Sequence, residues 1–216
     1  MNTNNHVRIS NFGLNESAKQ FEGVYANNSQ RTKSMEQNLM LTFSGELEKR
    51  LNEIENRHAY LSYLIENRVA NEKLLHLEIM HIISQNPDVV DYLPEKLYGF
   101  DNKDKCDFWF RMKNGIEYWV EIKTRPTNYG KSGHARAITH GVDGVIADIG
   151  RLRKIKSENT KRLMVFAFYP IYEECFQKFN DLHLNKIYKE IGKPPNIPKI
   201  SVETKDGFFY LYFEEV

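Results

Sequence analysis

The sequence predicts an α/β (α+β) domain: a central mixed β-sheet flanked by helices, with an N-terminal helical extension. Three observations predict it. Apolar and polar residues alternate on both sides of Lys113-Asn114-Gly115, as they do in a β-hairpin. Arg162 to Tyr169, RLMVFAFY, is a nearly continuous apolar run of the length a buried strand needs. Between them Val142, Val145, Ile146, Ile149 and Leu152 recur on one face of a helix, so strand, helix and strand follow in order.

The chain of 216 residues is long enough to bury a substantial core, and 41% apolar content is that of a globular domain. Lys plus Arg number 30 against 29 Asp plus Glu, so any attraction to nucleic acid must come from a local surface. Cys106 and Cys175 form neither a CxxC pair nor a disulfide framework, which implies a reducing, cytoplasmic setting. The N-terminus lacks the basic-then-apolar plan of a signal peptide. The longest apolar run is too short to span a bilayer, and no membrane partner is expected.

Taken in order, residues 1–34 are rich in Asn, Ser and Gln without a sustained period, and read as a loosely ordered arm. Residues 35–70 read as a helical extension, with Leu47, Leu51, Ile54, Leu61 and Ile65 on one stripe. That stripe packs on the core and is apolar enough to pair two subunits as a homodimer. An α/β core spans 71–216. It opens with a helix from about Asn71 to Ser84, stopped by Asn86-Pro87. A loop leads to Gly99 and then the hairpin. Thr124 to Gly141 is a polar loop, and the strand at Arg162–Tyr169 ends at Pro170. Residues 171–191 are helical, a Pro-rich linker follows, and the chain closes with a hairpin turning at Asp206-Gly207.

The register of the first hairpin decides what its charged residues mean. A three-residue loop over Lys113, Asn114 and Gly115 pairs Met112 with Ile116, Phe110 with Tyr118 and Phe108 with Val120, leaving one face wholly apolar. The other face then pairs Arg111 with Glu117, Trp109 with Trp119 and Asp107 with Glu121; Lys123 joins Glu121 on it. A two-residue Asn-Gly turn would mix the faces. Directly opposed residues have Cβ atoms roughly 5 Å apart, so two carboxylates at that spacing repel unless a cation lies between them. Mg²⁺, which takes one or two carboxylates and completes its shell with water and phosphate oxygens, fits that description. A charged, solvated sheet face is the plain alternative, but the paired tryptophans and the long loop after Lys123 favour a site.

A third acid stands out on the preceding helix. At about 100° per residue, Leu74 and Ile82 fall roughly 40° to either side of Glu78, which therefore lies within the apolar stripe. A buried carboxylate needs a cation, a basic partner or a proton. His81 or an arginine could satisfy it; otherwise it is aimed at the same ion.

A glutamate on an early helix, an aspartate opening a strand, then Glu-x-Lys on the next strand, followed by a helix and a buried strand, resembles the PD-(D/E)xK nuclease superfamily. Glu78, Asp107, Glu121 and Lys123 carry the resemblance, with thirteen residues between Asp107 and Glu121 and Lys105-Cys106 where a proline commonly precedes the aspartate. The resemblance spans about Leu74 to Tyr169 and implies a restriction-endonuclease-like fold. It further implies metal-dependent cleavage of a phosphodiester, most often in DNA, with Mg²⁺ as cofactor and Mn²⁺ as a substitute. Asp107, Glu121 and Glu78 would hold the metal, and Lys123 would act on the attacking water.

Candidate nucleic-acid contacts follow the site in sequence: Arg125, Tyr129, Lys131, His134 and Arg136 in the polar loop, then Arg151 and Lys154 in a basic run through Arg162. The histidines His76, His81, His134 and His140 show no zinc spacing and are read as structural or surface residues. The leading expectation is an endonuclease acting on double-stranded DNA in restriction, defence or mobile-element processing. An RNA-acting nuclease of the same fold, or a catalytically silent nucleic-acid-binding or assembly module, are the alternatives.

Overall fold

A computed structural model describes residues 45–47, 49, 72–100, 103–127, 129, 138–204 and 207–216. The N-terminal arm and most of the helical extension lie outside the described residues. Within that extension, Leu47 is helical and buried in the same apolar cluster as Leu75 and Ile79. The other stripe residues, Leu51, Ile54, Leu61 and Ile65, are not among those described.

The core is a six-stranded mixed sheet in the order β1-β2-β3-β4-β6-β5. Helix α1 (Glu72–Gln85) precedes β1 (Val89–Pro94), β2 (Phe108–Met112) and β3 (Glu117–Pro126). Helix α2 (Ile138–Leu152) crosses over to β4 (Thr160–Ile171), which runs parallel to β3; every other pairing is antiparallel. A helical stretch then contains α3 (Phe176–Phe179), a π-turn at Asn180–Leu184 and α4 (Asn185–Ile191), before the hairpin of β5 (Ile200–Thr204) and β6 (Gly207–Glu215).

Strict alternation along the strands builds two cores, one on each face. Phe108, Phe110, Val120, Ile122, Val165, Tyr169, Phe209 and Leu211 pack with Leu75, Ile79, Ile82 and Ile83 of α1. Trp109, Trp119, Met164, Phe166, Phe168 and Tyr212 pack with Val142, Val145, Ile149 and Leu152 of α2 and with α3 and α4. Helices thus cover both faces of the sheet, the arrangement a parallel crossover generates.

Three local expectations change. β1 stands where a loop was expected: it is an exposed edge strand, with Val90, Tyr92 and Leu93 open to solvent, so no one-sided apolar pattern announces it. β4 does not stop at Pro170 but passes through a cis Tyr169–Pro170 peptide to Ile171, with a register shift after Phe168. The loop after the first hairpin is shorter than Thr124–Gly141, because β3 extends to Pro126 and α2 begins at Ile138.

Candidate active site at the end of the first hairpin

The β2–β3 ladder pairs Phe108 with Val120, Trp109 with Trp119, Phe110 with Tyr118 and Arg111 with Glu117. Gly115 closes the turn at φ 83°, and its N–H donates to Met112 O at 2.9 Å. This is the three-residue register. β2 stops at Phe108 while β3 continues, so the Ile122 N–H would lose its cross-strand partner there. Asp107 Oδ2 accepts that N–H at 2.7 Å, and the Asp107 carbonyl accepts the Glu95 N–H at 3.2 Å. The aspartate therefore ends the ladder and is held beside Glu121 by main-chain bonds.

Glu121 shares the Trp119 face of β3 and its side chain is 3% exposed. Its Oε1 accepts the Tyr98 hydroxyl and lies 3.4 Å from Arg151 Nε. Burial and the neighbouring Asp107 charge push its pKa up to about 8, against the pull of the Tyr98 hydrogen bond. Asp107 moves the other way. Burial opposes its charge most strongly, but His76, the Ile122 N–H and Glu121 together hold its pKa below the ordinary value. Ionising both carboxyls is therefore opposed, because two buried like charges in contact cannot both ionise cheaply, and the burden falls on Glu121.

Lys123, two residues along β3, has Nζ 3.5 Å from Asp148 Oδ2 and 3.8 Å from Glu72 Oε2. Glu72 also accepts the Thr124 N–H at 3.2 Å. Asp148, almost fully buried on α2, accepts a hydrogen bond from Arg151 Nη2. Burial raises the Asp148 pKa, while Lys123 and Arg151 draw it back. His76 Nε2 lies 3.6 Å from Asp107 Oδ1. The result is a continuous chain of polar contacts: His76, Asp107 and Glu121, Arg151, Asp148, Lys123, Glu72.

Four carboxyls in this chain face two permanent cations, Lys123 and Arg151. The deficit of two positive charges equals the charge that a divalent ion would bring. Among the described residues no three His, Cys, Asp or Glu side chains form a ready-made metal cage. Asp107 and Glu121, whose carboxyls are in contact, are the residues here that could hold a divalent ion.

The expected site residues divide. Asp107, Glu121 and Lys123 come together as the register requires. The α1 side chains that meet them are Glu72 and His76, and Glu72 is the helix acid against Lys123. Glu78 is buried as its stripe position implies, yet helix geometry sets it roughly 160° round from His76. Arg151, expected on the substrate, faces inward onto Glu121 and Asp148. Tyr129 sits edge-on to Phe179 and His183, 6.1 and 6.0 Å between centroids, and fills space against α3. Arg153, Lys161 and Arg162 of the basic run bond Glu190, Glu215 and the Ile155 carbonyl. Arg125 and Lys154 are exposed, and Lys131, His134 and Arg136 lie outside the described residues.

Sequence reasoning passed over Asp148 because at about 100° per residue it lies at the edge of the α2 stripe, with Leu152 and Val145 roughly 40° and 60° away on the same side and Gly144 and Arg151 on the other. Arg151 follows it at the i+3 spacing of a helical ion pair. Glu72 gave no such signal, since an acid in a first helical turn is ordinary. Tyr98 reaches Glu121 only through tertiary contact. The chain was compared with family models, with curated proteins and with solved structures, and none matches it.

Proposed function

We propose that the protein is a Mg²⁺-dependent phosphodiester hydrolase of the PD-(D/E)xK kind, acting on DNA as an endonuclease. One observation carries this reading: the Asp107 and Glu121 carboxyls meet at the end of a ladder, with Lys123 two residues further along the same strand. The order of elements, a hairpin followed by a helical crossover to a parallel strand, supports a restriction-endonuclease-like arrangement.

A divalent ion held by Asp107 and Glu121 would absorb charge developing on the phosphate oxygens during in-line attack. Glu121, whose pKa burial raises, would have to be ionised to take part. The Asp107 carboxylate is already ionised and fixed by the Ile122 N–H. Lys123 Nζ, positioned between Asp148 and Glu72, donates a hydrogen bond to the attacking water or to the oxygen gaining charge. Tyr98 orients the Glu121 carboxyl, and Arg151 ties it to Asp148.

One observation favours a second reading, a catalytically silent nucleic-acid-binding module: Tyr98 and Arg151 already satisfy Glu121 without an ion. Supercoiled plasmid, linear duplex and RNA, each incubated with Mg²⁺ or EDTA, separate the two. Cleavage of DNA that needs Mg²⁺ and is lost in Glu121→Ala supports the hydrolase. Equal cleavage by wild type and Glu121→Ala overturns the site, cleavage of RNA alone moves the substrate, and no cleavage favours the silent module.

Among the described residues no helix is long and apolar enough to cross a membrane, and Cys106 and Cys175 are free thiols. The free thiols support a cytoplasmic setting, and a homodimer is the form suited to cutting both strands.

A further inference from the structure

Beside the acidic pair stands an array of stacked rings with one open end. Trp119 and Tyr98 stack at 5.7 Å between centroids with 13° between planes, and Tyr98 and Phe100 stack at 5.0 Å and 21°. At the inner end Lys96 Nζ lies 3.1 Å from the Trp109 ring centroid and 5.0 Å from that of Trp119. At the outer end Phe100 is 43% exposed, whereas Tyr98 and Trp119 are buried. Lys154, from just beyond α2, places its Nζ 5.7 Å from the Phe100 ring.

The array is joined to the acidic pair through one atom, because the middle ring's hydroxyl is the donor to Glu121. An exposed phenylalanine on its own needs no explanation. An exposed ring that extends a stack, has an ammonium beside it and is one ring removed from a buried acid has the two elements that hold an unpaired nucleotide. These are an aromatic face for the base and a cation for its phosphate. A paired base inside a duplex presents no free face to such a ring.

We propose that Phe100 is the platform on which an unpaired nucleobase stacks next to the target phosphate, with Lys154 meeting that nucleotide's phosphate. The inference rests on the reading of the Asp107–Glu121 site as a phosphodiester hydrolase and narrows its substrate to a strand that is single, frayed or splayed at the cut. The ring does not distinguish deoxyribose from ribose, so both nucleic acids enter the test.

The test measures binding of short single-stranded DNA and RNA oligonucleotides, and of duplex DNA, by fluorescence anisotropy in EDTA. Cleavage of the same strands is followed in Mg²⁺. Phe100→Ala should bind single strands about tenfold more weakly, the range expected for loss of one base–aromatic stack. Phe100→Trp should keep the affinity, and Phe100→Leu, apolar without a ring, should not. An oligonucleotide with an abasic site at the stacked position should bind wild type and Phe100→Ala alike. Lys154→Gln should flatten the salt dependence by about one phosphate contact. Ile197→Ala, exposed elsewhere on the surface, should match wild type.

Single-strand binding by Phe100→Ala as tight as that of wild type overturns the platform, as does tighter binding of duplex than of single strands. If Phe100→Ala then cuts DNA normally in Mg²⁺, the hydrolase reading survives without it. Ring-dependent binding by a wild type that cuts nothing leaves the platform standing and removes the hydrolase. A wild type that binds no oligonucleotide overturns the platform outright.

Discussion

Asp107 Oδ2 accepts the main-chain N–H of Ile122 at 2.7 Å, so the carboxylate occupies the place a neighbouring strand's carbonyl would fill. The relationship makes Asp107 structural as well as chemical. Asp107→Asn keeps an acceptor for that N–H, whereas Asp107→Ala orphans it. Asp107→Ala should be less stable than Asp107→Asn by about 1–2 kcal/mol, measured by urea denaturation in EDTA. Both variants should lose Mg²⁺-dependent cleavage. Equal stability of the two would mean the hydrogen bond contributes nothing net.

The raised Glu121 pKa sets a pH dependence. A carboxyl that binds its proton to about pH 8 when folded and releases it at 4.5 when unfolded makes the native state the better proton binder between those values. Stability should therefore fall as pH rises from about 4.5 to 8. Glu121→Gln should flatten that part of the curve and be the more stable protein at the alkaline end. Denaturation of both proteins across the window, without metal, checks it.

A divalent ion should reverse the alkaline loss. Mg²⁺ at a hundred times its dissociation constant would stabilise the wild type by about 2.7 kcal/mol, with affinity rising toward pH 8 as the Glu121 proton leaves. Thermal melts should show the shift in wild type and in Lys123→Ala. They should show none in Glu121→Gln, because the lysine works on water and phosphate while the glutamate holds the ion. A Mg²⁺ shift that persists in Glu121→Gln would place the ion elsewhere.

Asp148 holds Lys123 and Arg151 at once. Asp148→Asn leaves two partly exposed cations without their shared anion and should cost about 1–3 kcal/mol. Cleavage should fall through kcat more than KM, since Lys123 loses its position rather than the protein its substrate surface. Unchanged kcat would show that Lys123 is held by Glu72 alone.

Gly207 opens β6 at φ 114°, where an added Cβ would lie 2.9 Å from the Ile171 carbonyl carbon and oxygen. Gly207→Ala should destabilise by about 1–3 kcal/mol while leaving Mg²⁺ binding intact, because the strain is stored at the far hairpin. A melt matching wild type would show that the backbone relaxes.

The sequence by itself determined the hairpin, its register and the company of Asp107, Glu121 and Lys123. These follow from a side-chain period of two and a glycine in the turn, both local rules. It likewise determined α1, α2, the buried strand and the closing hairpin, whose apolar periods are strong. Only the tertiary structure decided that β1 is a strand, since a solvated edge carries no period, and that Tyr98, His76, Glu72 and Asp148 converge on the same cluster. Their meeting depends on how α1 and α2 pack against opposite faces of the sheet, and no local spacing encodes that. The same packing turned Arg151 inward: a cation read from sequence as a substrate contact becomes a partner when a buried acid lies one helical turn before it.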